Sequence, residues 1–168
     1  SSTSRGLGDV YKRQEFNECI IKTRTLGYDG KGQESISNQR NYEKIFESIN
    51  LKSIIEKKIP FEFEVSVIIA RDIENNLCHY PIGKNVHKNH ILKDTFSPTQ
   101  LTEIQINKLI SYSEKIITEL NHVGVLAVEF FVTEDNILVN EIAPRVHNSG
   151  HWTIDACDVS QFEQHMLC

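Results

Sequence analysis

The sequence predicts an α+β fold in which helices cover mixed or antiparallel β-sheets. This prediction depends on three features: a long amphipathic helix pattern, several short runs rich in β-branched and aromatic residues, and a polar turn that joins two of these runs. The chain has 168 residues, of which 39% are hydrophobic. That is enough to form one core of ordinary size.

Two apolar stripes predict the helices. The longer helix is expected to begin at Ser97-Pro98-Thr99 and to end at Asn121-His122-Val123-Gly124. Its apolar stripe, expected in the core, consists of Leu101, Ile104, Leu109, Ile110, Ile116, Ile117 and Leu120. A shorter helix is predicted over about residues 38–49, and its inward side chains are Tyr42, Ile45, Phe46 and Ile49.

Short apolar runs predict strands at residues 19–22, 53–56, 62–70 and 77–80. Two further runs, residues 125–132 and 136–142, flank the polar turn Glu134-Asp135-Asn136 and predict a hairpin. If the turn is centred near Asp135, Glu129 lies directly opposite Glu141. Facing side chains of an antiparallel pair have Cβ atoms roughly 4.5–5.5 Å apart.

The opposed carboxylates of Glu129 and Glu141 predict a cation site. Both lie in apolar sequence, so burial would disfavour their charges unless something neutralises them. Magnesium suits such a pair, because it takes one or two carboxylates and completes its shell with water and nucleotide phosphates. The alternative is a register shifted by one residue, with one glutamate facing solvent.

A polar loop follows Pro144 and contains Arg145, His147 and Asn148. Arginine offers a planar fork for carboxylate or phosphate, and histidine and asparagine offer directional hydrogen bonds to a small anion. The alternative is an ordinary Asn/Ser/Gly turn. Zinc binding by His147 and His151 is disfavoured, because the intervening Asn-Ser-Gly does not favour a helix and no glutamate has the zinc-protease arrangement.

Residues 22–33 form a glycine-rich segment that predicts a loop over phosphate groups. Gly27, Gly30 and Gly32 let the backbone approach phosphate closely, and Lys22 and Lys31 supply positive charge. The segment matches neither the P-loop nor the dinucleotide-binding pattern, so a plain glycine hairpin remains an alternative.

Composition excludes several classes of partner. The net charge of −5, from 23 acidic and 18 basic residues, argues against nucleic acid, and no basic run suggests an anionic membrane surface. No stretch approaches the ~20 apolar residues of a membrane span. The four cysteines are scattered without a Cys-x-x-Cys pair, which is typical of reduced thiols in a cytoplasmic protein.

Several motifs occur together in a specific order. They are GYDGKGQ at 27–33, EKKI at 56–59, NVH at 85–87, NEIAPRVHNSGHWT at 140–153 and SQFEQH at 160–165. On these motifs the chain, from about Cys19 to its end, resembles the 5-(carboxyamino)imidazole ribonucleotide synthases, also described as the ATPase subunit of phosphoribosylaminoimidazole carboxylase. These are ATP-grasp ligases of purine biosynthesis, so the resemblance implies part of an ATP-grasp fold.

The resemblance also implies a reaction. ATP, with magnesium, would phosphorylate bicarbonate to carboxyphosphate, and the carboxyl group would pass to the amine of 5-aminoimidazole ribonucleotide. ADP and phosphate would be released. The resemblance further allows a homodimer of the full-length enzyme.

The resemblance assigns roles residue by residue. Nucleotide binding is implied for Lys22, Gly27, Tyr28, Asp29, Gly30, Lys31, Gly32, Gln33, Glu56, Lys57, Lys58, Ile59, Glu64, His87, Asn140 and Glu141. Within this set, residues 56–59 would bind adenine and Glu64 the ribose. Magnesium would be held by Glu129 and Glu141. Catalytic roles are implied for Arg145, His147 and Asn148 at the bicarbonate and carboxyphosphate site, and for Tyr28, Asp29 and Lys31 towards the ribonucleotide.

Each of these sites has an ordinary alternative. Residues 56–58 could be a charged strand end, and Glu64 lies in an alternating run where a solvent-facing glutamate is normal. His87 and His90 lie in a predicted polar loop, where surface residues are common. The whole domain could also be another ATP-grasp ligase, acting on a different carboxylate or amine, or a non-catalytic binding module.

The ends of the sequence depart from the family pattern. Residues 1–14 have no counterpart and are interpreted as a non-native tail, with a short native extension as the alternative. Residues 15–168 correspond to a fragment of an ATP-grasp domain. The family's N-terminal Rossmann-like domain and its C-terminal domain have no counterpart here. We therefore expect little turnover, and at best weak ATP binding, from this polypeptide alone.

Overall fold

The computed structural model describes residues 18–25, 32–36, 53–88 and 91–168. The chain divides into two compact units, one of Ser1–Pro60 with Asn89–Ile91 and one of Phe61–Lys88 with Leu92–Cys168. The predicted tail at 1–14, the helix predicted at 38–49 and most of the glycine-rich segment lie outside the described residues.

The first unit contains a three-stranded sheet with the order β2-β1-β3. The strands are β1 (Cys19–Thr23), β2 (Gln33–Ile36) and β3 (Ser53–Lys57), and both pairings are antiparallel. The strands predicted at 19–22 and 53–56 are thus confirmed. Strand β2 was not predicted, because Ile36 is its one buried residue and its sequence carries little apolar signal.

The second unit contains a six-stranded sheet with the order β7-β6-β4-β8-β9, and β5 also pairs with β4. The strands are β4 (Phe63–Arg71), β5 (Leu77–His79), β6 (Gly83–Lys88), β7 (Ile91–Phe96), β8 (Gly124–Val132) and β9 (Ile137–Ala143). Strands β4 and β8 pair antiparallel along their whole length, from Phe63 opposite Val132 to Arg71 opposite Gly124. The predicted hairpin and the strands at 62–70 and 77–80 are confirmed, and so is the α+β class.

Helix α1 (Glu103–Glu119) covers one face of this sheet. It begins later than the predicted 97–99, because Thr102 forms a reciprocal capping box with Gln105 and so fixes the first turn. The core on this face consists of Val65, Val67, Ile69, Ile82, Leu109, Ile117, Leu126, Val128, Phe130, Val132 and Ile137.

Two residues of the predicted stripe lie outside the core. Ile104 is 81% exposed because, at 100° per residue, it lies about 140° around the helix from Leu109. Leu120 is 54% exposed and is the C-cap residue, beyond the last helical position. The remaining members of the stripe, Leu101, Leu109, Ile110, Ile116 and Ile117, do pack in or against the core.

The opposite face of the sheet is apolar at one end and polar at the other. Ile68, Ala70, Val125, Ala127 and Ala143 form the apolar end, against which Val146 and Cys168 pack. The chain after β9 forms a 3₁₀ turn (Asn148–Gly150), helix α2 (Thr153–Ala156) and helix α3 (Gln161–Leu167). No helix in the described part of the chain is long and apolar enough to cross a membrane.

Strand alternation brings polar residues together on this second face. Val65 and Val67 point into the α1 core, so Glu64 and Ser66 point the other way. Ser66 lies opposite Glu129 on β8, and Glu64 lies opposite Asn85 on β6. The polar end of the second face is therefore built from β4, β6, β8 and β9.

Candidate active site

A β-bulge creates the opposed carboxylate pair. Between the turn and the Phe130–Val139 pair, the two strands keep one regular register. If that register continued, Glu129 would lie opposite Asn140. The register shifts between Glu129 and Phe130, and Glu129 lies opposite Glu141 instead. The predicted pairing of Glu129 with Glu141 is confirmed, with Asn140 as the extra residue of the bulge.

The two carboxylates have different environments. Glu129 is buried, with a side chain 6% exposed, whereas the side chain of Glu141 is 54% exposed. The sequence raised burial of both carboxylates as a condition, and this condition is met only by Glu129. Glu141 is open to solvent, because β9 is the last strand in the described sheet order. One carboxylate is thus desolvated and the other is accessible.

Asn85 holds the buried carboxylate in place. Its Nδ2 donates to Oε1 of Glu129 at 3.2 Å, while its own Oδ1 accepts from Ser66 Oγ at 3.3 Å and from Thr95 Oγ1 at 3.2 Å. Asn85 is 4% exposed. Two hydroxyl donors therefore orient the amide so that its N–H group faces Glu129. The NVH motif contains Asn85, but the sequence assigns it no role. Its burial in β6 is visible only in the folded chain.

The pKa of Glu129 is raised to about 7, first by burial and then by the charge of Glu141, while His87 acts in the opposite direction. A buried carboxylate with an adjacent like charge favours a bound cation. Two facing carboxylates fit magnesium, which takes its remaining ligands from water and phosphate. Among the described residues, no group of three or more His, Cys, Asp or Glu side chains could by itself hold a metal ion.

Glu64 and His87 form a second polar pair on the same face. Nδ1 of His87 lies 2.7 Å from a carboxylate oxygen of Glu64, and the side chains are 24% and 14% exposed. The hydrogen bond to Glu64 raises the pKa of His87, against the effect of burial. The alternatives of a solvent-facing Glu64 and a surface loop for His87 are both wrong, since strand β6 carries His87 to the carboxylate.

His147 lies beside the carboxylate pair. Its Nδ1 accepts from the backbone N–H of Ser149 at 3.5 Å and lies 2.8 Å from Ser149 Oγ. Because a backbone N–H can only donate, this geometry favours the neutral tautomer with its proton on Nε2. That nitrogen lies 3.8 Å from Glu141, and Nδ1 lies 3.7 Å from Glu129.

The charge state of His147 follows from its burial. Burial lowers the pKa of His147 and Arg145 adds to this, while Glu141 opposes it. The ring is therefore neutral near pH 7, and its contacts with the carboxylates are not ion pairs. Its Nε2 lies 3.8 Å from the exposed carboxylate of Glu141, beyond direct hydrogen-bond distance.

The two other residues predicted in this loop lie differently. Arg145 is exposed, and its guanidinium donates to the carbonyl of Val146 at 2.9 Å. In the described part of the chain Arg145 makes no ion pair with the carboxylates. Asn148 is exposed, accepts from the Ser149 N–H at 2.9 Å, and lines a cleft of about 290 Å³. The other lining residues are Leu92, Lys93, Asp94, Thr95, His151 and Trp152.

The first unit contains several of the residues predicted to bind nucleotide, and two of their lysines form ion pairs. Lys22 forms an ion pair with Glu56 at 2.6 Å, and Lys58 forms one with Glu18 at 2.9 Å. Lys57 is exposed at the end of β3, and Ile59 is half-buried. Both interpretations of residues 56–58, nucleotide contact and charged strand end, therefore remain open.

Strands β1 and β2 flank the glycine-rich segment and pair antiparallel, with Lys22 opposite Gln33. Gly32 has φ +80°, and a Cβ there would lie 2.5 Å from Thr23 Oγ1, so this position requires glycine. Gly27, Tyr28, Asp29, Gly30 and Lys31 lie outside the described residues, as does His90. The phosphate-loop interpretation of the segment stays a prediction.

The ATP-grasp domain matches residues 7–162, and the chain belongs to the ATP-grasp family. It is 45% identical over 151 residues to the N5-carboxyaminoimidazole ribonucleotide synthase of Brucella melitensis, covering 88% of this chain and 42% of that protein. It is 42% identical over 161 residues to the bifunctional purine synthesis protein purC/E of Dictyostelium discoideum, covering 89% of this chain and 16% of that protein.

Solved structures give the same result. The N5-carboxyaminoimidazole synthetase of Staphylococcus aureus in complex with ADP matches with a TM-score of 0.86 and 39% identity, covering 95% of this chain and 43% of that chain. The Aspergillus clavatus synthase in complex with ADP and 5-aminoimidazole ribonucleotide matches with a TM-score of 0.83 and 27% identity, over 95% and 42%. The resemblance predicted from the motifs is confirmed. The chain spans less than half of the length of these relatives.

Proposed function

We propose that this protein catalyses the ATP-dependent carboxylation of 5-aminoimidazole ribonucleotide in purine (IMP) biosynthesis. The products are 5-(carboxyamino)imidazole ribonucleotide, ADP and phosphate. The observation that carries the proposal is the Glu129–Glu141 pair with His147 beside it, on the polar face of an ATP-grasp sheet. Relatives with the corresponding names and ligands support the choice of substrate.

Glu129 and Glu141 would hold the magnesium ion of magnesium-ATP. When bound, magnesium neutralises the negative charge that phosphoryl transfer spreads over the phosphate oxygens. Asn85 keeps the Glu129 carboxylate oriented for this role through its 3.2 Å hydrogen bond. Other nucleotide contacts are proposed for Glu64, His87 and Asn140 in this unit, and for Lys22 and residues 32–33 and 56–59 in the other.

The polar loop would receive bicarbonate. The Nε2–H of neutral His147 can donate to an anionic oxygen, and the guanidinium of Arg145 and the amide of Asn148 can bind carboxyphosphate. Transfer of the γ-phosphoryl group to a bicarbonate oxygen gives carboxyphosphate, and attack by the ribonucleotide amine on its carbonyl carbon expels phosphate. Contacts with the ribonucleotide are proposed for Tyr28, Asp29 and Lys31.

The reaction is tested by ADP formation in the protein at its natural length. We expect ADP release to require magnesium, bicarbonate and 5-aminoimidazole ribonucleotide together. With ¹⁸O-labelled bicarbonate, one label should appear in the released phosphate, because the attacking bicarbonate oxygen remains on phosphorus. ADP formation that needs a different carboxylate or amine would identify another ATP-grasp ligase. Failure to bind nucleotide at all would favour a non-catalytic module.

Three further statements stay predictions of the sequence. They are a homodimer of the full-length enzyme, a cytoplasmic location, and the absence of nucleic-acid and membrane partners.

A further inference from the structure

We propose that Gln161, at the start of helix α3, is a positioning residue that holds His147 against the carboxylate pair. This inference rests on the proposed function for its catalytic consequence and on the described contacts for its structural part. Gln161 is fully buried, and its carboxamide bonds to the backbone of His147. It belongs to the SQFEQH motif, to which the proposed reaction gives no role.

The carboxamide of Gln161 binds both backbone groups of His147. Its Oε1 accepts from the N–H of His147 at 3.0 Å, and its Nε2 donates to the carbonyl of His147 at 2.7 Å. One planar amide thus fixes the peptide groups on both sides of the histidine Cα, which leaves the ring little freedom beyond its own side-chain rotations.

Gly150 provides the room for this carboxamide. A Cβ at Gly150 would lie 2.8 Å from Cδ of Gln161, closer than any ordinary contact. Any larger residue at this position would push the amide away from His147. Glycine is needed at position 150 because the side chain of Gln161 leaves no room for a Cβ.

A second connection joins the same two segments. The backbone N–H of Gln161 donates to Oγ1 of Thr153 at 2.9 Å, and the Thr153 hydroxyl donates to the carbonyl of Gly150 at 2.6 Å. Thr153 is fully buried. We name Gln161, Thr153 and Gly150 the amide latch. The latch ties the start of α3 to the turn that carries Ser149, whose hydroxyl oxygen lies 2.8 Å from Nδ1 of His147.

The position of His147 therefore depends on the latch. Nε2 of the ring lies 3.8 Å from the exposed carboxylate of Glu141, and Ser149 Oγ lies 2.8 Å from Nδ1. A shift of the loop backbone by about 1 Å would disrupt both contacts, and errors of that size in a catalytic group can cost about 100-fold in rate.

The test compares Gln161→Met with Gln164→Met, which changes the same residue type one turn later on the same helix. Gly150→Ala is a second latch variant, because it displaces the amide while leaving Gln161 in place. All kinetics are measured in the natural-length protein, below the unfolding temperature of the least stable variant. We expect both latch variants to lower kcat by about tenfold or more, with the KM for magnesium-ATP changed by less than about twofold, and Gln164→Met to resemble the wild type.

A second measurement is independent of activity. In the 168-residue chain, ¹⁵N NMR of the His147 ring should show the Nε2–H tautomer in the wild type and in Gln164→Met. The two nitrogens should be averaged or broadened in Gln161→Met and Gly150→Ala. An unchanged kcat in both latch variants, or an unchanged His147 spectrum, would overturn the proposal. If the wild-type protein forms no ADP with the ribonucleotide, the proposed function fails, while the NMR comparison still decides whether Gln161 positions His147.

Discussion

Glu129 shows how neighbouring groups, more than residue type, set the chemistry of a side chain. Burial and the charge of Glu141 raise its pKa to about 7, and Asn85 supplies a hydrogen bond that holds the carboxylate in place. The sequence could indicate an opposed carboxylate pair, since apolar flanks and a turn are visible in it. The sequence could not indicate the roles of Asn85 and Gln161. Both side chains are buried where strands and helices meet, and that packing exists only in the folded chain.

The pair of His87 and Glu64 makes a prediction about pH. We expect Glu64→Gln to lower the pKa of His87, because the hydrogen bond to this carboxylate is the largest influence that raises it. The pH midpoint of the His87 ring, followed by NMR, measures this directly. Glu62→Gln is the matched control, since Glu62 is exposed and precedes the same strand. An unchanged midpoint in Glu64→Gln would contradict the described contact.

The same pair should affect stability in a defined pH range. The pKa of His87 in the folded state lies above its ordinary value of 6.5, so the stabilising contribution is complete below about pH 6.5 and is lost as the pH rises through the folded-state pKa. The free energy of unfolding should therefore differ more between wild type and Glu64→Gln at about pH 6 than at about pH 9. Urea denaturation at the two pH values tests the sign.

Among the secondary-structure elements, the central ones were predictable and the peripheral ones were not. Strands β4 and β8 and the hairpin have dense β-branched and aromatic sequence, because both of their faces are covered over much of their length. Strands β6 and β7 were missed, since they include Lys84, His87, Lys88, Lys93 and Asp94 and have few buried apolar residues. The bulge at Asn140 was also invisible in the sequence, and the correct pairing of Glu129 with Glu141 depends on it.

Helix α1 makes a prediction about packing. Leu109 is fully buried against the sheet, so Leu109→Ala should lower the free energy of unfolding by about 2–5 kcal/mol through lost contacts and a cavity. Ile104, on the same helix, is 81% exposed, and Ile104→Ala should change that free energy by less than about 0.5 kcal/mol. Denaturant titration of both variants checks the assignment. Comparable losses in the two would show that the helix is rotated from the described orientation.

For the protein as a whole, the ordered sequence motifs predicted the family more completely than the hydrophobic patterns predicted the strands and helices. The order of the motifs indicated an ATP-grasp ligase, and the family match over residues 7–162 confirms the domain. The structure adds the reason why separated motifs belong together: β4, β6, β8 and β9 place Glu64, Asn85, Glu129 and Glu141 on one face. Periodicity within single segments cannot show such an arrangement, because it arises from strand order.

The magnesium assignment is tested most directly by one calorimetric titration. Magnesium-ATP is titrated into the chain, into Glu129→Gln and into Glu134→Gln, which alters an exposed residue in the turn of the same hairpin. We predict that the wild type and Glu134→Gln bind with similar affinity and that binding weakens when magnesium is omitted. We predict that Glu129→Gln loses at least about tenfold in affinity, which corresponds to about 1.4 kcal/mol of binding free energy. Equal binding by Glu129→Gln and the wild type would contradict the assignment and place the metal elsewhere.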